Sequence, residues 1–185
     1  MRAVVLLVMT LGCVSGPPAR HARPVPTSVA PAVRIYESES NPAITEGDTL
    51  LDVAPDVAYA ELADYARWPG IFSDIHEVIV TRLDGDDARV TFVGPDDHHD
   101  NLHFHNRSAA HTIWFEDTGS SSTVWAEIAF LAGPTAGTTH VHSRLYVDVG
   151  GVAGIFVSDH RVRKLREQRV YDDLFDLRAH FAHRP

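Results

Sequence analysis

The stretch Val53 to Ile75, VAPDVAYAELADYARWPGIFSDI, constrains this chain most, because it leaves a strand and turns at once into an amphipathic helix. Pro55 stands near the first helical position, where its missing N–H is harmless, and Val57, Leu62 and Tyr65 recur at helical spacing until Trp68-Pro69-Gly70 stops the run. A second helical signal lies at the far end. From about Val152 to Phe181 the stripe Val162, Leu165, Val170, Leu174, Leu177 and Phe181 marks one long helix. Nearly everything between alternates like antiparallel strand, at about 76–83, 88–94, 101–107, 110–116, 123–131 and 138–148, after a first strand at 44–53. The last of these puts Val141, Ser143, Leu145 and Val147 on one face and His140, His142, Arg144 and Tyr146 on the other. Asp84-Gly85-Asp86-Asp87 is a hairpin signal. The expected fold is α+β: a curved antiparallel sheet of about six to seven strands wrapped around a long C-terminal helix that must cross the whole sheet.

At 185 residues the chain suits one domain with a sizeable core. A net charge of −9 argues against a nucleic-acid partner, which requires clustered Lys and Arg. The acidic residues Asp84, Asp86, Asp87, Asp96, Asp97 and Asp100 fall where turns and solubility account for them. Oligomeric state is not legible.

The first twelve residues are expected to be a signal peptide: Arg2, then the apolar run Ala3 to Leu11, too short to span a bilayer. That run followed by Gly12-Cys13 resembles the lipobox of bacterial lipoproteins, although Thr10 and Leu11 depart from its usual residues. The resemblance implies a lipidated Cys13 and a cell-envelope location, with ordinary secretion as the alternative. Cys13 is the single cysteine, which excludes an intramolecular disulfide, a thiol catalyst in the folded body and a zinc-thiolate site. Residues 13–33 hold five prolines and no hydrophobic periodicity, so they read as a tether reaching about 60 Å at ~3 Å per residue. The folded domain then occupies 34–185.

The order of strand, VAPDVAYAELADYARWPGIF, strand meander, STVWAEIAF, GTTHVHSRLYVDVGG and terminal helix resembles the START-like, helix-grip superfamily, often labelled SRPBCC, over about residues 44–183. It includes polyketide cyclases and aromatases, coenzyme Q-binding proteins and lipid-transfer domains. The resemblance implies a pocket between sheet and long helix but carries over no catalytic residue, since the superfamily has no universal triad. Trp68, Phe72, Phe104, Trp114, Phe130, Leu145 and Phe156 are the apolar candidates to line that pocket. For acid–base work inside it the candidates are Tyr59, Asp74, His76, Glu127, Arg144 and Tyr146.

Histidine is the unusual enrichment, 12 in all, with His98, His99, His103 and His105 inside eight residues. Leu102 and Phe104 form the core-facing set of that strand, which turns His103 and His105 outward to solvent. A metal site from His99, His103 and His105 is the alternative. No cofactor motif is present. The basic run His160 to Arg169 reads as a solvated helix flank, or as a surface for anionic headgroups or an acidic ligand.

The sequence thus points to an envelope-anchored carrier of a hydrophobic small molecule such as a lipid, quinone or polyketide. Two alternatives stand beside it: a cyclase-like enzyme, favoured if ionisable groups converge inside the cavity, and an interaction module with a filled pocket.

Overall fold

A computed structural model of the chain describes residues 32–95, 97–118, 122–149 and 158–182. The elements run β1 (Val33–Glu37), β2 (Ile44–Leu51), α1 (Pro55–Ala63), α2 (Trp68–Ile71), β3 (Glu77–Asp84), β4 (Asp87–Val93), β5 (His99–His105), β6 (Thr112–Asp117), β7 (Thr123–Ala132), β8 (Thr139–Asp148) and α3 (Asp159–Ala182). The strands form one antiparallel sheet in the order β1-β2-β8-β7-β6-β5-β4-β3. The last strand therefore lies beside the second, and the helix that follows it returns across the concave face. This is the helix-grip arrangement, with eight strands rather than six or seven. The additional strand is β1, five residues long and directly behind the Pro-rich stretch, which left too short a run for alternation to show. It is nonetheless anchored: Val33 is buried and sits opposite Thr49, whose hydroxyl donates to the Ala32 carbonyl at 2.6 Å.

The concave face is set by parity. On β8, Thr139, Val141, Ser143 and Leu145 are buried while the intervening His140, His142 and Arg144 are not. Their partners Thr49 and Thr45 on β2 and Phe130, Ile128 and Ala126 on β7 continue the same face. Helix α3 lays Val162, Arg166, Val170, Leu174, Leu177 and Phe181 on it. Gly47 makes that approach possible, because a Cβ there would stand 2.7–2.8 Å from Val170, Ile35 and Leu174. Arg166 is the surprise in the stripe. It takes the buried position expected for Leu165, which is 38% exposed, and donates from Nε to Thr45 Oγ1 at 3.2 Å and from its terminal nitrogen to the Pro42 carbonyl at 3.1 Å. Desolvation pulls its pKa down.

Helix α1 closes the other end of the concave face. It buries Ala58, Glu61 and Leu62, whereas Val57 is exposed. Trp68-Pro69-Gly70 does not stop the helical chain but carries it on: a 3₁₀ turn at Tyr65–Arg67 leads into α2, with Pro69 in its first turn. That kink delivers Trp68 to the core, where its indole N–H donates to the Leu62 carbonyl at 2.8 Å and its ring lies 4.9 Å from both Phe72 and Phe92 and 5.6 Å from Phe104. Full burial of one such ring contributes about 2–3 kcal/mol. Asp84 and Asp87 pair across the expected hairpin, where Gly85 takes φ +61°. The helix expected from Val152 is described from Asp159; residues 152–157, with Phe156 among them, lie outside the described residues, as does Cys13. Among the described residues no helix is long and apolar enough to cross a membrane.

Candidate functional site: an acidic recess beside the closing helix

Helix α3 covers the β1, β2 and β8 side of the concave face, and the sheet beyond it is less completely filled. Val147 of β8 lies opposite Val124 of β7, and Leu102 of β5 lies between Asp117 of β6 and Val90 of β4. Leu102, Phe115, Val124 and Val147 all point to the concave side, yet each stays only partly buried against the core. This is the apolar half of a recess. Phe115 packs on buried Phe104 with ring centroids 4.9 Å apart.

The polar half comes from two strands, a turn and the closing helix. Asp100 of β5 lies directly opposite Phe92, a core residue, so its carboxylate shares the concave face. Asp117 shares it through Leu102. The turn after α2 supplies Asp74, and the flank of α3 supplies Arg169 and Asp173 one helical turn apart. Arg169 pairs with Asp74 and, through Nε at 3.1 Å, with Asp173. The Ser73 backbone N–H donates to Asp176 at 2.9 Å and fixes the turn to the helix. His98 contacts Asp100 at 2.8 Å.

Arg169 and Asp173 keep 44% and 27% of their side-chain area accessible, yet desolvation by the surrounding protein is the largest influence on both. Desolvation, reinforced by Asp74 and opposed by Arg169, pushes the Asp173 carboxyl up to about 6. For Arg169 desolvation works downward, and Asp173 and Asp74 more than reverse it. Asp100 is held above the usual carboxylate range by desolvation, with His98 and Arg169 opposing and Asp117 adding. Four carboxylates facing one guanidinium and one imidazole favour a ligand that offers hydrogen-bond donors, not an anion.

Of the residues expected to do acid–base work, only Asp74 reaches this recess. Tyr59 packs on His111 and Phe130, with centroids at 5.4 and 6.3 Å, beneath α1. His76 is exposed at the head of β3. Glu127 and Arg144 face each other at 3.5 Å on the convex face, and Tyr146 stacks there on Trp125. Among the apolar candidates, Trp68, Phe72, Phe104 and Phe130 are no more than 3% exposed and Leu145 is 8% exposed, packed in the core. Trp114 lies opposite Glu127 on the convex face, its ring 5.1 Å from His105. The basic run of α3 dissolves into pairs: Arg163 with Glu37 and Glu167, Lys164 with Glu167, Arg169 with the recess, and Arg166 buried. His160 and Arg161, at the start of the run, stand exposed.

Arg169, Asp173, Asp100 and Asp117 were not among the expected site residues. Asp100 has the parity of Leu102 and Phe104, and Arg169 precedes Asp173 by four; both signals are in the sequence, and both were absorbed by the simpler explanations of turn and solvated flank.

No family model and no curated protein sequence matches the chain. Solved structures do. The Zhui aromatase/cyclase from Streptomyces sp. R1128 is similar at 16% identity and TM-score 0.63, over 76% of this chain and 94% of that one. A START superfamily protein from Mycobacterium smegmatis is similar at 12% identity and TM-score 0.61, over 75% and 97%. The protein XoxI from Bacillus cereus is similar at 14% identity and TM-score 0.64, over 76% and 96%. The chain therefore has the START-like, helix-grip fold, as the sequence resemblance implied.

Proposed function

We propose that the protein binds a hydrophobic small molecule in the recess between the concave face and α3, with the acidic cluster reading hydroxyl or amine groups at one end. The observation that carries this is the row Leu102, Phe115, Val124 and Val147, apolar and partly uncovered on the face where a core residue would be sealed. Solved neighbours with the same fold include START proteins and aromatase/cyclases, which fits such a ligand. Covering about 300 Å² of apolar ligand surface would supply about 7 kcal/mol before ordering costs. Titration with the neutral fluorophore N-phenyl-1-naphthylamine tests it. Binding by the native protein that falls at least tenfold in a Val124→Trp variant of unchanged helicity supports the recess; equal binding by both overturns it.

Asp173 favours a second reading. A carboxyl near 6 beside Arg169 and Asp74 is poised to give and take a proton near neutral pH, which suits cyclisation or dehydration of a bound polyketide. Asp173→Asn that keeps ligand affinity but loses turnover of a poly-β-ketone would separate enzyme from carrier.

We also place the domain at a bacterial cell envelope, held by acylated Cys13, the single cysteine and the residue directly behind the apolar run. A Cys13→Ser chain that fractionates with membranes as the native chain does would remove this part of the proposal.

A further inference from the structure

The convex face carries a second constellation, remote in role from the recess. His103 and His105, two apart on β5, point to the same side; Asp87 of β4 lies directly opposite His105, and Glu116 of β6 lies directly opposite His103. The two rings stand 3.8 Å apart, and Trp114 lies 5.1 Å from His105.

The atoms are disposed in two layers. Asp87 Oδ1 is 2.7 Å from His105 Nδ1 and 3.5 Å from His103 Nε2, and the three ligand atoms fall within 4.8 Å of one another. The remaining ring nitrogens turn the other way, His103 Nδ1 at 3.9 Å and His105 Nε2 at 4.0 Å from Glu116 Oε1. Three of these four approaches are at or beyond the limit of a hydrogen bond, and only Asp87 and His105 stand at hydrogen-bonding distance. In a tetrahedron with metal–ligand distances of about 2.0–2.1 Å, ligand atoms stand about 3.3 Å apart, and 2.7 and 3.5 Å bracket that value. A carboxylate behind the far nitrogens of ligating histidines is the usual outer-shell partner.

The structure provides its own contrast. On the same face His140 and His142 of β8 also flank an aspartate, Asp48 of β2, at 2.8 and 3.0 Å, while Tyr36 donates to its second oxygen at 2.7 Å. That network is closed by hydrogen bonds. The Asp87 cluster is not.

We propose that Asp87, His103 and His105 bind one divalent ion of the zinc type, with Glu116 orienting the imidazoles. His99 is not part of it: exposed at the start of β5, it stands four residues, about 13 Å, from His103. Two imidazoles and one carboxylate suit zinc, copper or nickel over calcium or magnesium, and leave a fourth position for water or an anion. A hollow of about 230 Å³ lined by Arg82, Asp87, Ala88, Arg89 and His103 gives such an anion room and positive charge. The ion ties β4 to β5 on the convex side.

The test is calorimetric titration of the full chain with zinc chloride, with cobalt(II) absorption to report coordination. The expected result is one equivalent per chain and a tetrahedral cobalt spectrum. Asp87→Asn and His105→Gln each weaken binding at least tenfold, Glu116→Gln weakens it about tenfold, and the paired change His140→Gln with His142→Gln leaves it unchanged. All five side chains are partly exposed, and a melting temperature in chelator equal to that of the native protein confirms folding; His103→Gln replaces any variant that fails this check. Absence of a stoichiometric site, survival of the site in Asp87→Asn and His105→Gln, or its loss with His140 and His142 would overturn the assignment.

Discussion

Replacing Asp173 by asparagine is expected to stabilise the protein at neutral pH. The folded carboxyl titrates at about 6 against an ordinary 3.8, chiefly because surrounding protein desolvates it. With 1.36 kcal/mol for each tenfold change in acidity, the ionised form would cost about 3 kcal/mol at pH 8. Solvent still reaches 27% of the side chain, and screening there reduces the cost to about 1.5 kcal/mol. The sign follows from proton binding. The folded state holds this proton more tightly than the unfolded chain, so its contribution is full below the ordinary 3.8, declines as pH rises to about 6, and is lost above that. Asparagine has no charge to desolvate. In thermal melts at pH 8 the variant should therefore gain about 3–6 °C, and at pH 3.5 the two proteins should melt together. A variant less stable than the native protein at pH 8 would show that the pair with Arg169 outweighs desolvation. The recess would then be a structural ion-pair network and not a strained site kept for its chemistry.

Gly47→Ala should cost about 1–3 kcal/mol, seen as a lower urea midpoint, because its methyl would meet Val170, Ile35 and Leu174 at once. Arg166→Ala should cost about 2–4 kcal/mol by the same assay, since it opens space under α3 and leaves Thr45 Oγ1 and the Pro42 carbonyl without their donor. Asp48 is held below the usual carboxylate range: desolvation pushes it up, but hydrogen bonds from Tyr36, His142 and His140 prevail. The advantage of the native protein over Asp48→Asn should accordingly be complete above pH 4 and disappear as pH falls through the lowered pKa, a trend that melts from pH 6 to pH 2 would follow. Unequal melting at pH 2 equal to that at pH 6 would show packing, not charge, to be responsible.

The architecture was legible because period and parity are local properties. The alternation of β8 put Val141, Ser143 and Leu145 inside and His140 and His142 outside, and the structure agrees residue by residue. β1 was not legible, since a five-residue run gains its identity only by pairing with β2. Leu165 and Arg166 exchanged roles because hydrophobicity alone ranks leucine inward, whereas the buried positions 162, 166, 170 and 174 repeat every four residues and the arginine finds acceptors in Thr45 and Pro42. The recess depended on what no local pattern encodes: Asp74, Asp100, Asp117 and Asp173 come from a turn, two strands and a helix, and their convergence exists only in the folded chain.

Native mass spectrometry of the full chain, purified from the cells that make it and followed by denaturing extraction, addresses the ligand directly. A retained apolar molecule carrying hydroxyl or amine groups, displaced in Val124→Trp, is the expected finding. A protein that emerges with no bound species, and takes up none when offered lipids, quinones and polyketides, would contradict hydrophobic ligand binding in the recess.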